Sequence, residues 1–232
     1  MLVFLKAITY TPLFNLLILF YDLIPGHDFG LAIIAVTVLI RIILAPLSIK
    51  AQRSQRELNK LNPKIQELKE KYKNNQTEQG AAMMALYKEH GVNPIAGCLP
   101  LLIQIPILIV LYRVFIDGLN PASLSVLYSF IPNPGTIHST FLGFVQIGSP
   151  NRLLAVTAGV LQFFQSRQSM AFMRAGGQLS KEMSALNNQM TYFMPIFIII
   201  IGWNLSAGLI LYWVTTTVYS IFEQLYLQKT AK

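Results

Sequence analysis

Few side chains in this sequence join a charged or reactive type to surroundings that would hold it. The clearest is Arg41, inside the apolar run Val36 to Lys50, VTVLIRIILAPLSIK. An arginine at the centre of a membrane-length segment costs roughly 2.5 to 3.5 kcal/mol on insertion scales, so such a residue usually faces a partner or a water-filled cavity rather than lipid. The other polar groups set in apolar runs are Gln104, Gln162, Gln165 and Thr215 to Thr217, with Tyr212 and Trp213 beside the threonines. Each costs free energy if it faces lipid unpaired. A shared interior groove would satisfy them together; equally, each glutamine could bond a neighbouring helix, for about 0.6 kcal/mol. Arg41 is different, because Asp22, Asp28, Asp117 and Glu223 all lie near the ends of apolar runs and none matches its depth. A fixed positive charge in a low-dielectric place attracts a carboxylate more strongly than it would in water. An acidic stretch of a passing polypeptide fits, and so does a small anion; the residues leave that choice open.

Covalent and metal chemistry have no matching pattern. A single cysteine, Cys98, excludes an intrachain disulfide and a cysteine-rich metal site. His27, His90 and His138 have no HxxxH or HExxH spacing, and GxxxxGK[ST], GxSxG and GxGxxG are absent. The expectation is a protein that is not an enzyme and needs no cofactor or metal.

The elements that must carry these residues are membrane helices. Of 232 residues, 53% are hydrophobic and 12% charged, half the charge of a typical soluble domain, and the mean hydropathy is +0.50. Residues 1–25 are apolar but interrupted by Lys6, Pro12, Asn15 and Asp22. They either lie in the membrane interface as an amphipathic helix or span it. The short uninterrupted run after Pro12 favours the interface, and the lack of a small-residue cleavage site argues against a signal peptide. Pro25-Gly26 is a turn. Residues 26–50 form the first core span, in which Arg41 lies about 13 Å of helix from Lys50, too deep for easy snorkelling. Pro46 is placed to bend it.

Residues 51–94 change character. Leu58, Leu61, Ile65, Leu68 and Tyr72 recur at helical spacing, as do Met83, Met84, Leu86 and Tyr87, with the polar NNQTEQG between the two sets. This predicts an antiparallel helical hairpin outside the membrane. Asn62-Pro63 is expected as N-cap and first helical position, and Glu67 with Lys71 as an i,i+4 pair. Residues 95–116 form a second span holding Pro100, Pro106 and Gln104. Residues 117–151 are rich in Pro, Gly and Ser and hold no Lys or Arg, and read as an ordered loop on the membrane surface. Residues 152–173, 190–204 and 207–227 are the remaining spans, with a polar loop at 174–189 and a basic tail at 228–232. The 190–204 run offers only about 22 Å of helix against a hydrocarbon core of about 30 Å.

Charge sets the orientation. Nine of the 18 basic residues fall between Lys50 and Lys88, and the 174–189 loop and the tail carry others. By the positive-inside rule these segments and the C-terminus are cytoplasmic.

The chain resembles the YidC/Oxa-type membrane protein insertases over nearly all its length. The resemblance rests on LIRIILAPL, LNPKIQELKEKY, MMALYKEHGVNPIAGCLPLLIQIPILIVLY, MTYFMPIF and SAGLILYWV. It implies an all-α integral membrane fold: five core transmembrane helices around a hydrophilic groove, a cytoplasmic helical hairpin and an N-terminal interfacial helix. The groove is expected to open to the cytoplasm and to lipid and to be closed on the outer side. Arg41 matches the family's groove arginine, which would draw in the polar, often acidic, outer end of a substrate. The substrate's apolar segment would then slide along the third and fifth core spans into lipid. Gln104 and Gln162 fall at groove-lining or adjacent positions, and Tyr212 and Trp213 match an aromatic pair that contacts substrate. Thr217 stands where many members carry asparagine, so the lining is expected to differ there. The implied partners are nascent membrane proteins and the lipid bilayer, with the Sec translocon and the ribosome as further candidates and no direct nucleic-acid contact. The implied location is a bacterial plasma membrane, multi-pass. A short form without a large periplasmic domain is expected, its five-residue tail after Leu227 too short for strong ribosome tethering. The competing reading is a small anion channel or transporter that uses Arg41.

Overall fold

The computed structural model describes residues 9–93, 99–174 and 181–230. Expectations resting on Lys6, on Pro94 to Cys98, on 175–180 and on the last two residues lie outside them. The described chain is mostly helical. Helix α1 covers Thr11–Leu23, where Pro12 in the first turn gives up an N–H that has no intrahelical acceptor anyway. It ends at an extended Ile24, and Gly26 takes a φ of +84° to turn the chain, a conformation open to glycine at little cost. Phe14, Leu17, Ile18 and Tyr21 recur on one face of α1 and are fully buried. They share a core with Phe29, Ile33 and Val36 of the next helix and with Leu111, Val114 and Phe115 of α5 (Leu99–Gly118).

Helix α2 runs from Phe29 to Lys60 without interruption, about 48 Å at 1.5 Å per residue. Asp28 caps it, its Oδ1 accepting from the Leu31 N–H at 2.9 Å. The segment expected to break near Lys50 therefore continues for another ten residues. AQRSQRELNK is rich in good helix formers, and a change from apolar to basic composition does not by itself end a helix. By length and composition α2 is long and apolar enough to cross a membrane.

Only Leu61 separates α2 from α3 (Asn62–Lys71). The expected cap differs: Leu61 holds the N-cap position in αR geometry and Asn62 is the first helical residue, with Pro63 behind it. So tight a connection leaves no extended residue for an asparagine cap. Helix α4 (Gln76–Glu89) does have one, Asn75, which accepts from the Glu78 N–H at 3.2 Å. Leu61, Ile65, Leu86 and Tyr87 pack α3 against α4 as a cluster of their own, so these two helices form a pair with its own small core, while residues 51–60 of the expected hairpin belong to α2. Lys71 lies over the Tyr72 ring at 5.3 Å rather than pairing with Glu67. Among the described residues the ion pair within 4 Å is Lys60–Glu57.

The segment after α5 is ordered. A 3₁₀ turn at Pro121–Val126 leads to a two-stranded hairpin, β1 (Thr140–Phe141) with β2 (Val145–Gln146). Three side chains of the first quarter tie this segment down. Asn15, buried in α1, donates to the Val126 carbonyl at 3.1 Å and accepts from the Tyr128 N–H at 2.6 Å. Tyr21 accepts from the His138 N–H, and the second oxygen of Asp28 accepts from the Leu142 N–H. Phe141 lies so close over Gly30 that a Cβ there would overlap its ring.

Helix α6 (Arg152–Arg174) starts at Asn151, whose side chain accepts from the Leu154 N–H at 2.9 Å. Helix α7 (Lys181–Gly202) has 22 residues. It begins nine residues before the apolar run at 190–204, so polar residues prolong the helix beyond the short apolar part. Helix α8 covers Ala207–Thr230. Its first amides lack intrahelical acceptors; Ala207 and Gly208 donate instead to the Ser149 and Ile147 carbonyls. Gly159 of α6 lets α7 approach closely, since a Cβ there would collide with Ile199 and lie 2.9 Å from the Pro195 carbonyl. The bundle is thus α2, α6 and α8 at the centre, with α7 on α6 and α1 on α2, and one end covered by the segment 119–151.

Candidate polar site between α2, α5, α6 and α8

The predicted site residues fall into two groups that meet on α8. In the first, Arg41 of α2 donates from Nη2 to Oε1 of Gln104 on α5 at 2.7 Å. The Gln104 amide then donates to the Tyr212 hydroxyl on α8. Three helices that pack side by side are joined by one chain of polar side chains. Tyr212 is 3% exposed, whereas Arg41 and Gln104 are partly exposed. No carboxylate lies within ion-pair distance of Arg41 among the described residues. The guanidinium is held by a neutral oxygen.

In the second group, the Trp213 indole N–H donates to Oε1 of Gln162 on α6 at 3.2 Å. The Gln162 amide donates in turn to Gln165 at 2.9 Å and Ser166 at 3.2 Å, so Gln162 and Gln165, three residues apart, share one face of α6. Tyr212 and Trp213 are neighbours in sequence but point about 100° apart on a helix, one toward α2 and α5 and the other toward α6. Thr217 lies one turn below Trp213 and is buried; it belongs to the Trp213 side of α8. Thr216 lies on the other side, close to the Tyr212 hydroxyl.

A third polar group was not picked out from the sequence. Oε2 of Glu223, on α8, accepts from Ser48 Oγ at 2.7 Å and from Gln52 Nε2 at 2.6 Å, both on α2. Tyr219 stands between this carboxylate and Arg41, near enough to feel both charges. The spacing was there to be seen: 212, 216, 219 and 223 share one face of α8, and 41, 48 and 52 share one face of α2. Neither stands out in the sequence, because Glu223 lies near the end of its apolar run and Gln52 falls in the segment expected as a separate hairpin.

Outward faces are apolar. Ile105 and Ile109 of α5, Val160 and Phe164 of α6, and Phe193 and Ile200 of α7 are all exposed. Exposure of this kind suits hydrocarbon rather than water. The contrast matters for the site, since the polar residues above are gathered between helices and the apolar ones face out.

The profile of the 60Kd inner membrane protein family matches residues 19–232. "Membrane protein insertase YidC" of Fusobacterium nucleatum is 34% identical over 202 residues, which cover 87% of this chain and 87% of that protein. The protein of the same name from Clostridium tetani is 39% identical, over 82% of this chain and 77% of its own length. "Membrane protein insertase MisCA" of Bacillus subtilis is 37% identical, over 89% and 73%. The solved structure titled "Active YidC insertase crystal structure with the first transmembrane domain resolved" superposes with a TM-score of 0.59 at 27% identity. That likeness covers 96% of this chain and 46% of the other, so the chain spans about half the length of that solved protein. With an intramembrane-type arginine, a helical hairpin and a family profile matched from residue 19 to the end, the chain belongs to the 60Kd inner membrane protein family, that of the YidC and MisCA insertases.

Proposed function

We propose that this chain inserts transmembrane segments of other proteins into a bacterial plasma membrane. In this reading α2, α5, α6, α7 and α8 are five spans around a hydrophilic groove. The hairpin α3–α4 and the C-terminus are cytoplasmic, as the positive-inside rule requires, and the segment 119–151 covers the outer end. The observation that carries the reading is the pairing of Arg41 with the neutral Gln104 instead of an acid. A charge kept in this way is a temporary counter-ion for the acidic or polar outer end of a substrate. Gln162 and Trp213 line the path beside it, with Tyr212 and Thr217 buried behind them. No bond is made or broken and no cofactor takes part. The driving force is burial of the substrate's apolar segment, about 25 cal/mol per Å², supplemented by the membrane potential acting on negative charge. Nascent membrane proteins are the substrates, and the hairpin is the face offered to a ribosome or a Sec translocon.

The test uses the full chain in liposomes and a short single-span substrate with an acidic outer tail. Wild-type protein is expected to insert the tail to protease protection, and Arg41→Ala to insert less. Failure of both, together with robust Arg41-dependent chloride flux, would establish an anion channel and refute the insertase reading.

A further inference from the structure

The Glu223 group has no place in the function just given, and its chemistry is specific. The carboxylate receives two neutral donors on Oε2, from Ser48 and Gln52. Its Oε1 is buried without a hydrogen-bond partner, and so is Oε1 of Gln52. Two acceptor oxygens beside a negative charge, both lacking a donor, call for a cation that carries several N–H groups. Arg56, one turn beyond Gln52 on the same face of α2, is placed elsewhere: its guanidinium lies over the Phe172 ring at 5.3 Å, and Lys50 and Arg53, closer in sequence, are exposed. No basic side chain lies within ion-pair distance of Glu223 among the described residues.

The position is equally specific. Helices α2 and α8 pack together and run in the same direction, since Arg41 reaches the level of Tyr212 through Gln104 while Ser48 and Gln52 meet Glu223 further along both. Tyr212 and Glu223 are eleven residues apart on one, and Arg41 and Gln52 eleven apart on the other. Eleven residues of helix rise about 16 Å. Two opposite charges therefore stand on one polar stripe, Arg41 deep and Glu223 about three turns nearer the cytoplasmic end, with Tyr219 between them. An extended polypeptide advances about 3.3 Å per residue, so about five residues bridge the two stations.

We propose that Glu223 is a second charge station that binds a lysine or arginine of the substrate tail, about five residues from the acid held by Arg41 and on the side of the substrate's apolar segment. This rests on the insertase reading and adds the substrate feature that the site selects. The preferred tail is ordered, with the acid toward its tip and the cation behind it. A tail with the same residues reversed places the cation opposite Arg41 and the acid opposite Glu223, and both stations repel it.

The experiment compares single-span substrates that differ only in the tail: an acid alone, an acid with lysine five residues on, and the reversed order. Vesicles of phosphatidylglycerol and phosphatidylcholine contain no primary amine, and the quaternary ammonium of choline has no N–H to donate, so beyond the protein's own lysines the substrate supplies the only N–H-bearing cation. Wild-type protein is expected to insert the acid-then-lysine tail about two- to fivefold better than the acid alone, the range of a partly exposed ion pair. The reversed tail is expected to insert worst. Glu223→Gln should erase the gain and leave the acid-only tail unchanged, while Glu223→Asp keeps part of it. Adding phosphatidylethanolamine should leave the gain in place; its loss would assign the site to a lipid amine instead and overturn the proposal. An equal loss of both tails in Glu223→Gln, or a gain that survives that change, also overturns it. If wild-type protein inserts no tail at all, it is the insertase reading that fails, a result readily told apart from these.

Discussion

Replacing Gln104 by glutamate keeps the size of the side chain and puts a carboxylate where the amide now accepts from Arg41 at 2.7 Å. If Arg41 serves as a free positive charge for substrates, this change should disable it as well as deleting it would. Two unit charges about 4 Å apart attract by about 1 kcal/mol in water and about 4 kcal/mol at an effective dielectric of 20. A substrate acid must displace that internal partner before it can bind. Since 1.36 kcal/mol is tenfold, the range corresponds to about fivefold to several hundredfold weaker capture. The partly exposed guanidinium puts the expectation near the low end, at about tenfold. Gln104→Leu removes the same hydrogen bond, worth about 1.5 to 3 kcal/mol when one partner is charged, but leaves the arginine uncompensated and available. The expected order of acidic-tail insertion in proteoliposomes is thus wild type, then Gln104→Leu, then Gln104→Glu close to Arg41→Ala. A substrate whose tail acids have become amides should show much smaller differences among the four proteins. Insertion by Gln104→Glu at the wild-type level, or a larger loss in Gln104→Leu than in Gln104→Glu, would refute the role given to the free charge.

Other substitutions test the framework. Asn15→Leu leaves the Tyr128 N–H and the Val126 carbonyl unpaired, and should cost about 2 to 4 kcal/mol, read as a lower thermal midpoint in detergent. Gly30→Ala drives a methyl into Phe141; overpacking of this sort costs about 1 to 3 kcal/mol and should expose the 140–146 hairpin to protease. Leu86→Ala removes a core side chain of the α3–α4 hairpin and should loosen it by about 2 to 5 kcal/mol. Because that cluster is separate from the main core, proteolysis should nick 72–75 while the bundle's midpoint stays within about 1 degree of wild type, as expected for independent sites.

The helices and the hairpin were legible because their signals are local. Apolar runs of membrane length, the Pro-Gly turn after α1 and the helical spacing of Leu58, Leu61, Ile65 and Leu68 each lie within a short window of chain. The boundaries were less legible. Helix α2 passes Lys50 because helix propensity does not follow polarity, and α7 begins nine residues before its apolar part for the same reason. The cap at Asn62 failed because a one-residue connection overrode a residue preference.

The site divides along the same line. From the sequence alone, Arg41 stands in an apolar helix, no acid is available at its depth, and basic residues cluster between Lys50 and Lys88. Those are matters of composition and position, and they suffice to make Arg41 a charge in search of a partner. Only the tertiary structure decided which neutral group holds it. Arg41 and Gln104 are 63 residues apart, and no spacing rule predicts which of several amides faces it. The structure also divided Tyr212 from Trp213, since neighbours on a helix face different partners once three other helices surround it. And it turned Glu223 inward against Ser48 and Gln52, because α2 and α8 stay packed beyond the point where their sequences turn polar. Such pairings depend on the rotation and depth at which helices settle against one another, which is a property of the packed bundle and of no single segment.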